Sequence, residues 1–161
     1  MALTVGTDTY ISLANANTYW DENTGGTNWA TASEADKEKA LRAATQYVDK
    51  HYSWLGNHPG NSQKLSWPRL NVVDKDGRTI GGNVIPDAVK DATAYIAEQV
   101  LADGGILPKR NRNSAIKSVK AGSVEVEYDD MAPTRTHYDY ADLILVKLTK
   151  GGRGMTRMYK G

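Results

Sequence analysis

Apolar residues recur at helical spacing in three separate stretches, and that pattern sets the first expectation of the fold. Leu13, Ala16, Tyr19 and Trp20 share one face behind Ser12, a residue type that caps helix starts. Ala40, Leu41, Ala44, Tyr47, Val48 and His51 form a longer stripe, with Glu34, Lys37, Glu38, Arg42 and Asp49 on the wet side. Ser33 and Asp36 stand where a shortened capping box belongs. Val89, Ala92, Thr93, Ile96, Val100 and Leu101 make the third stripe. Pro86 and Asp87 suit its first turn, and Gly104-Gly105 suits its end. A shorter run, Tyr140 to Lys150, carries Leu143, Ile144 and Val146 to Leu148 and reads as a last helix.

The remaining segments lack that period. Glu22 to Asn28, with Gly25-Gly26, reads as a loop, and Ser53 to Ile85 as a long irregular connection. Asp76-Gly77 predicts a tight turn between Val72-Val73 and Thr79-Ile80. A connection of that length inside a compact domain usually has a task. Beyond the basic linker Leu107 to Ser114 the pattern alternates. Val124, Val126 and Tyr128 fall on one side, and Ser123, Glu125 and Glu127 on the other. Ile116 and Val119 can pair across an Ala121-Gly122 turn, giving a hairpin over Ala115 to Tyr128. Such a hairpin is marginal alone, so it is expected to lean on the helices or on a neighbouring subunit. Gly151, Gly152 and Gly154 release the last helix into a basic tail.

The pattern therefore predicts a mainly α protein of one domain, residues 1–161. It is a small bundle of about four helices with a long irregular loop. Its helical core spans 1–105, a projecting β-hairpin 115–128, a C-terminal helix 139–150 and a flexible C-terminal tail 151–161.

Composition narrows the picture. Phenylalanine is absent, so four tryptophans (Trp20, Trp29, Trp54, Trp67) and nine tyrosines supply the bulky packing. Both types suit half-buried and interface positions. With no cysteine, disulfides and thiolate chemistry are excluded. No apolar run approaches the ~20 residues of a membrane span. No basic-then-apolar leader opens the sequence, and a soluble, intracellular protein is the expectation.

Net charge is +1, so the molecule as a whole is not an electrostatic nucleic-acid binder. Its distribution is uneven. Met1 to Asp36 holds Asp8, Asp21, Glu22, Glu34 and Asp36 and no base. Gly104 to Val124 holds Lys109, Arg110, Arg112, Lys117 and Lys120 and no acid. After Asp142 come Lys147, Lys150, Arg153, Arg157 and Lys160, again without an acid. These runs read either as solvated faces or as a basic edge for an acidic partner or a strand of nucleic acid.

Candidate chemistry is sparse. His51, His58 and His137 lack the spacing that puts two ligands on one helix face. His51 reads as a packing residue. His137 near Asp129, Asp130 and Asp139 is either a hydrated acidic loop or a metal or acid–base cluster. Asp74-x-Asp76-Gly77 resembles the start of a calcium loop, but Ile85 occupies the position of the bidentate glutamate. No phosphate-cradling glycine motif and no nucleophile elbow is present. The tryptophans beside basic residues read either as core packing or as a base-stacking platform. No enzymatic activity and no cofactor is expected.

One ordered series of motifs carries a family likeness. Tyr10-Ile11-Ser12-Leu13-Ala14-x-Ala16 precedes Trp29, then Ala40-Leu41-x-x-Ala44-Thr45-x-Tyr47. Gln63-x-Leu65-x-Trp67-Pro68-Arg69 follows, then Ile85-Pro86-x-Ala88-Val89-x-x-Ala92. Ile116-Lys117-Ser118 and Gly122-Ser123-Val124-Glu125-Val126 close it. The series, over about Thr9 to Leu148, resembles the head-to-tail adaptor (head-completion, connector) proteins of tailed bacteriophages. Some relatives are described as DnaT-like single-stranded-DNA-binding proteins. The resemblance implies a structural virion protein at the head-to-tail interface, made in the host cytoplasm. It implies a ring of twelve copies between the portal and a tail, tail-terminator or nozzle protein, with the genome passing through. The alternative it carries is a single-stranded nucleic-acid-binding module. Interface candidates for sister subunits or portal are Val119, Lys120, Ser123, Val124, Val126 and Tyr128 in the hairpin. Lys150, Arg153, Arg157, Tyr159 and Lys160 are those at the C-terminus. Trp67, Pro68 and Arg69 form the expected structural turn.

Overall fold

The structure, a computed structural model, describes residues 2–105 and 138–151, and 116–120 and 125–128 as backbone. It is mainly helical. In chain order the elements are α1 (Leu13–Glu22), α2 (Thr27–Thr31), α3 (Glu34–His51), α4 (Asp87–Asp103), β1 (Ile116–Lys120), β2 (Glu125–Tyr128) and α5 (Asp139–Leu145).

Local signals set several boundaries. Ser12 Oγ accepts from Asn15 N at 3.1 Å, and Ser33 Oγ accepts from Asp36 N at 3.2 Å. Each satisfies one of the orphan donors of a helix start. The Ser33 hydroxyl also donates to Asp36 Oδ2 at 2.7 Å, so the two side chains of the expected box meet, through the hydroxyl. Gly104 ends α4 in the left-handed region at φ 70°, with its N–H on Val100 O. Pro86 is the cap of α4, and the helix proper begins at Asp87.

The centre of the bundle is α4. It packs most extensively on α3 and also meets α1, α2 and α5. Val89, Ala92, Thr93, Ala94, Ile96 and Ala97 are all buried, so α4 is covered around most of its circumference. Its alanines let neighbouring helices come close. Two polar residues are buried with it and both are satisfied. Thr93 Oγ1 donates to Val89 O at 2.7 Å, and Glu98 Oε1 accepts from Asn28 Nδ2 at 2.8 Å. That second bond ties α2 to α4.

Three expectations need correction. Residues 27–31, read as loop and its edge, form α2, which buries Trp29 at 2% exposure. The last helix stops at Leu145 instead of reaching Lys150. There the chain turns to pair with the strand-like segment after α3: Leu55 N donates to Leu148 O at 2.9 Å and Lys150 N to Ser53 O at 2.6 Å. His51 is exposed and not part of the buried stripe. It lies at the last position of α3, where its ring stacks on Tyr47 at 4.7 Å between centroids.

The connection 52–86 is irregular, as its pattern predicts, but ordered by isolated bridges. Asn57 pairs with Leu70 in both directions, and Val73 bridges Thr79. Asp74 Oδ1 accepts from Asp76 N and Arg78 N, which folds the predicted turn around Gly77 at φ 79°. Gly56 has φ +71°, and a Cβ there would stand 2.3 Å from Leu70 O, so a side chain is excluded on both counts. β1 and β2 pair antiparallel, with Val119 opposite Val126 and Lys120 opposite Glu125, and an irregularity between Ile116 and Ser118. The expected Ala121-Gly122 turn, Pro133 and residues 152–161 lie outside the described residues.

Candidate functional site

The Trp-Pro-Arg turn is held by side chains that reach it from three directions. Trp67 has no exposed surface and meets Trp54 edge-on, 5.6 Å between centroids. The Trp67–Pro68 peptide is cis. Arg69 folds its guanidinium back onto backbone carbonyls. Nε donates to Leu55 O at 2.7 Å, Nη2 to Gly56 O at 3.0 Å and Nη1 to Ser66 O at 3.2 Å. Gln63 Nε2 donates to Leu65 O at 2.7 Å and to Pro68 O at 2.9 Å. His58 Nε2 lies 3.1 Å from Leu65 O.

A carboxylate of α3 anchors the other side of this loop. Asp49 Oδ1 accepts the Ser66 N–H at 2.7 Å and the Tyr10 hydroxyl proton. Tyr10 is fully buried, and burial first and the Asp49 hydrogen bond second raise its phenol's pKa well above the ordinary value. The sequence placed Asp49 on the wet side of α3. Nothing local marks its two partners, 39 and 17 residues away. Thr45 and Thr9, both buried, add a hydroxyl contact at 3.3 Å between α3 and the N-terminal segment. Asp49, Tyr10, Thr9 and Thr45 hold loops to helices through these bonds, whereas the buried indole N–H groups of Trp54 and Trp67 have no hydrogen-bond partner among the described residues.

The aromatic residues fall into two sets. Trp29, Trp54 and Trp67 are core residues, each at most 5% exposed. Trp29 Nε1 donates to Asn17 Oδ1 at 3.0 Å, and Lys37 Nζ sits over its ring at 5.4 Å. These three cannot serve as a base-stacking platform. A second set reaches the surface where α1, α4 and α5 meet. Tyr95 and Tyr140 rings lie 4.9 Å apart, burial first and then Tyr140 raise the Tyr19 phenol's pKa, and Trp20 meets Tyr19 edge-on at 5.0 Å. Tyr140 is 44% exposed and Leu143 69% exposed. The spacing Tyr140-x-x-Leu143 shows in the sequence, but its outward direction does not.

Charge divides along the chain. Residues 1–105, which contain α1 to α4, hold nine Lys and Arg against thirteen Asp and Glu. Residues 106–161 hold eleven against six. Of the interface candidates, Val119 and Lys120 lie in β1 and Val126 and Tyr128 in β2. Lys150 is exposed, with its backbone N–H on Ser53 O. Ser123, Val124, Arg153, Arg157, Tyr159 and Lys160 lie outside the described residues, as do His137, Asp129 and Asp130. Among the described residues no group of three or more His, Asp or Glu could hold a metal ion. Among them, too, no helix is long and apolar enough to cross a membrane.

One family model matches this chain, over residues 2–161, and its description reads "Putative DnaT-like ssDNA binding protein". No curated protein and no solved structure matches it.

Proposed function

Because the chain belongs to the DnaT-like ssDNA binding protein family, we propose that it is a non-catalytic protein that contacts single-stranded DNA through its basic C-terminal third. The observation that carries this reading is the division of charge just described. An acidic helical body repels phosphates, and an excess of cations in residues 106–161 attracts them. With Trp29, Trp54 and Trp67 committed to the core, the contact is mainly electrostatic and weakly selective for sequence. Lys109, Arg110, Arg112, Lys117 and Lys120 are the contacting cations. The test is fluorescence anisotropy of a labelled single-stranded oligonucleotide with the full chain, with duplex as competitor. Saturable binding at low salt, competed better by single strands than by duplex, supports the reading. Absence of binding at low salt refutes it.

A second reading is a head-to-tail adaptor of a tailed-phage virion. Two features favour it. The ordered motif series from Tyr10 to Val126 includes a Trp67-Pro68-Arg69 turn locked by Arg69 and Gln63. The exposed apolar residues Tyr140 and Leu143 offer a protein contact. In that reading twelve copies form a ring between the portal and a tail or nozzle protein, and the genome passes through without sequence-specific contact. Negative-stain imaging after co-expression with portal protein should show rings on the portal. A chain that never co-sediments with portal sinks this second reading and leaves the first untouched.

A further inference from the structure

The surface where α1, α4 and α5 meet combines three properties that together define an occupant. It is aromatic: Tyr19, Tyr95 and Tyr140 join there, with Leu143 one turn further along α5 and largely exposed. It is acidic. Burial is the first cause that raises the Tyr19 and Tyr95 phenols, but Asp91 adds to it at Tyr19 and Asp139 at Tyr95; Glu98, which also acts on Tyr95, is buried against Asn28 and is not part of the face. Asp91 is itself held above the ordinary carboxylate value, by burial first and then by Asp87 one turn away. Lys90, the base on this stretch of α4, is bridged to Asp87 at 2.8 Å. The third property is a large exposed apolar side chain, Leu143, which a ligand must cover to desolvate the patch.

The chain carries a segment of matching chemistry. Residues 152–161 hold Arg153, Arg157 and Lys160 with Met155, Met158 and Tyr159, and no acid. Arginine over a tyrosine face and methionine sulfur against an aromatic edge are favourable contacts, and the cations complement the carboxylates. We propose that this aromatic, acidic face docks the basic C-terminal segment, residues 152–161, of a second copy of the chain. The segment begins beside Lys150, which is pinned to Ser53, and ten extended residues span roughly 33 Å, enough to cross to a neighbour. A net charge of only +1 leaves little long-range repulsion between copies. The contact is heterologous, so it propagates from copy to copy and closes if its rotation permits. It goes beyond the DNA-binding reading and does not depend on it.

The experiment is sedimentation velocity of the full chain over a concentration series, with circular dichroism to confirm folding. Self-association is expected, weakened by salt. Leu143→Arg places a cation on the face, and Arg153→Glu, Arg157→Glu and Lys160→Glu together reverse the segment. Each change is expected to weaken association at least tenfold, and their combination is expected to recover most of it. Mixed heavy- and light-isotope protein, cross-linked between residues 152–161 and α5, should give mixed-isotope pairs. A chain that stays monomeric, an association indifferent to both changes, or cross-links confined to single chains overturns the proposal. Failure of this proposal leaves the DNA-binding reading standing, because oligonucleotide affinity is read separately with Lys117 and Lys120.

Discussion

The guanidinium of Arg69 donates to the carbonyl of Leu55 at 2.7 Å and so joins the Trp-Pro-Arg turn to the segment that pairs with the end of the chain. Leu55 N in turn donates to Leu148 O at 2.9 Å. Two segments distant in sequence, 66–69 and 148–150, are thereby tied to the same short run after α3.

Arg69 is expected to matter for stability more than for any surface contact. Arg69→Ala leaves three partly buried carbonyls without their charged donor and should cost about 3 kcal/mol. Arg69→Lys should recover less than half of that, because an ammonium cannot reproduce the planar fork. Urea unfolding monitored by circular dichroism measures both. A loss below about 0.5 kcal/mol for Arg69→Ala, the level of an ordinary surface change, contradicts the clamp.

Asp49, Tyr10 and Ser66 should behave as one unit. Asp49→Ala removes the acceptor of both the Ser66 N–H and the Tyr10 hydroxyl, and a loss of about 2–4 kcal/mol is expected. Tyr10→Phe alone should cost less. The double variant should fall short of the sum by about 1 kcal/mol or more, as for groups in contact. Strict additivity in a double-mutant cycle contradicts the arrangement.

These two anchors show where the sequence was legible and where it was not. Ser12, Ser33, Asp36 and Gly104 mark helix ends through interactions within four residues, so their roles could be read directly. The Asp76-Gly77 turn could be read for the same reason. The existence of the strand pair could be read from its alternation, but not its register, which sets Val119 opposite Val126 and Lys120 opposite Glu125 and so is offset from pairing about an Ala121-Gly122 turn. Asp49 could not, because a carboxylate on a polar stripe looks the same whether water or Tyr10 meets it. The five-residue α2 is too short for a period, and Gly26 gives it no side-chain cap. The end of α5 is set by pairing with Ser53 and Leu55, about ninety residues earlier, which no local pattern reports. Of the candidate interface, the basic segments were legible as charge, but the outward-facing Tyr140 and Leu143 were read as ordinary helix residues.

Acid should weaken the first turn of α3 and the Asp74 turn. The Ser33 hydroxyl, then Lys39, hold the Asp36 carboxyl below 3.8, and the Arg78 backbone N–H does so first for Asp74. Groups with a depressed folded-state pKa contribute stability that is fully present above 3.8 and is lost as pH falls through the lower folded values. Asp36→Asn and Asp74→Asn should each flatten that acid limb of the unfolding midpoint. Ser33→Ala should cost about 1 kcal/mol at neutral pH through the lost cap.

Asp91 should behave with the opposite sign. Its folded-state pKa is raised, by burial first and by Asp87 second. Its contribution is therefore favourable below 3.8 and is lost as pH rises through the folded value, so the ionised form opposes folding at neutral pH. Asp91→Asn is expected to leave the unfolding midpoint unchanged or raise it at pH 7. A clear loss of stability would mean that the carboxylate has a favourable partner.

The most direct test of the central claim is the salt dependence of single-stranded oligonucleotide binding by the full chain and by Lys117→Glu/Lys120→Glu. With five cations in contact, log affinity should fall against log salt with a slope of about −3.5, and reversing two of them should shallow it by about 1.4 and weaken binding at every salt concentration. A chain that binds no single strand at low salt, or whose slope and affinity ignore Lys117 and Lys120, contradicts it.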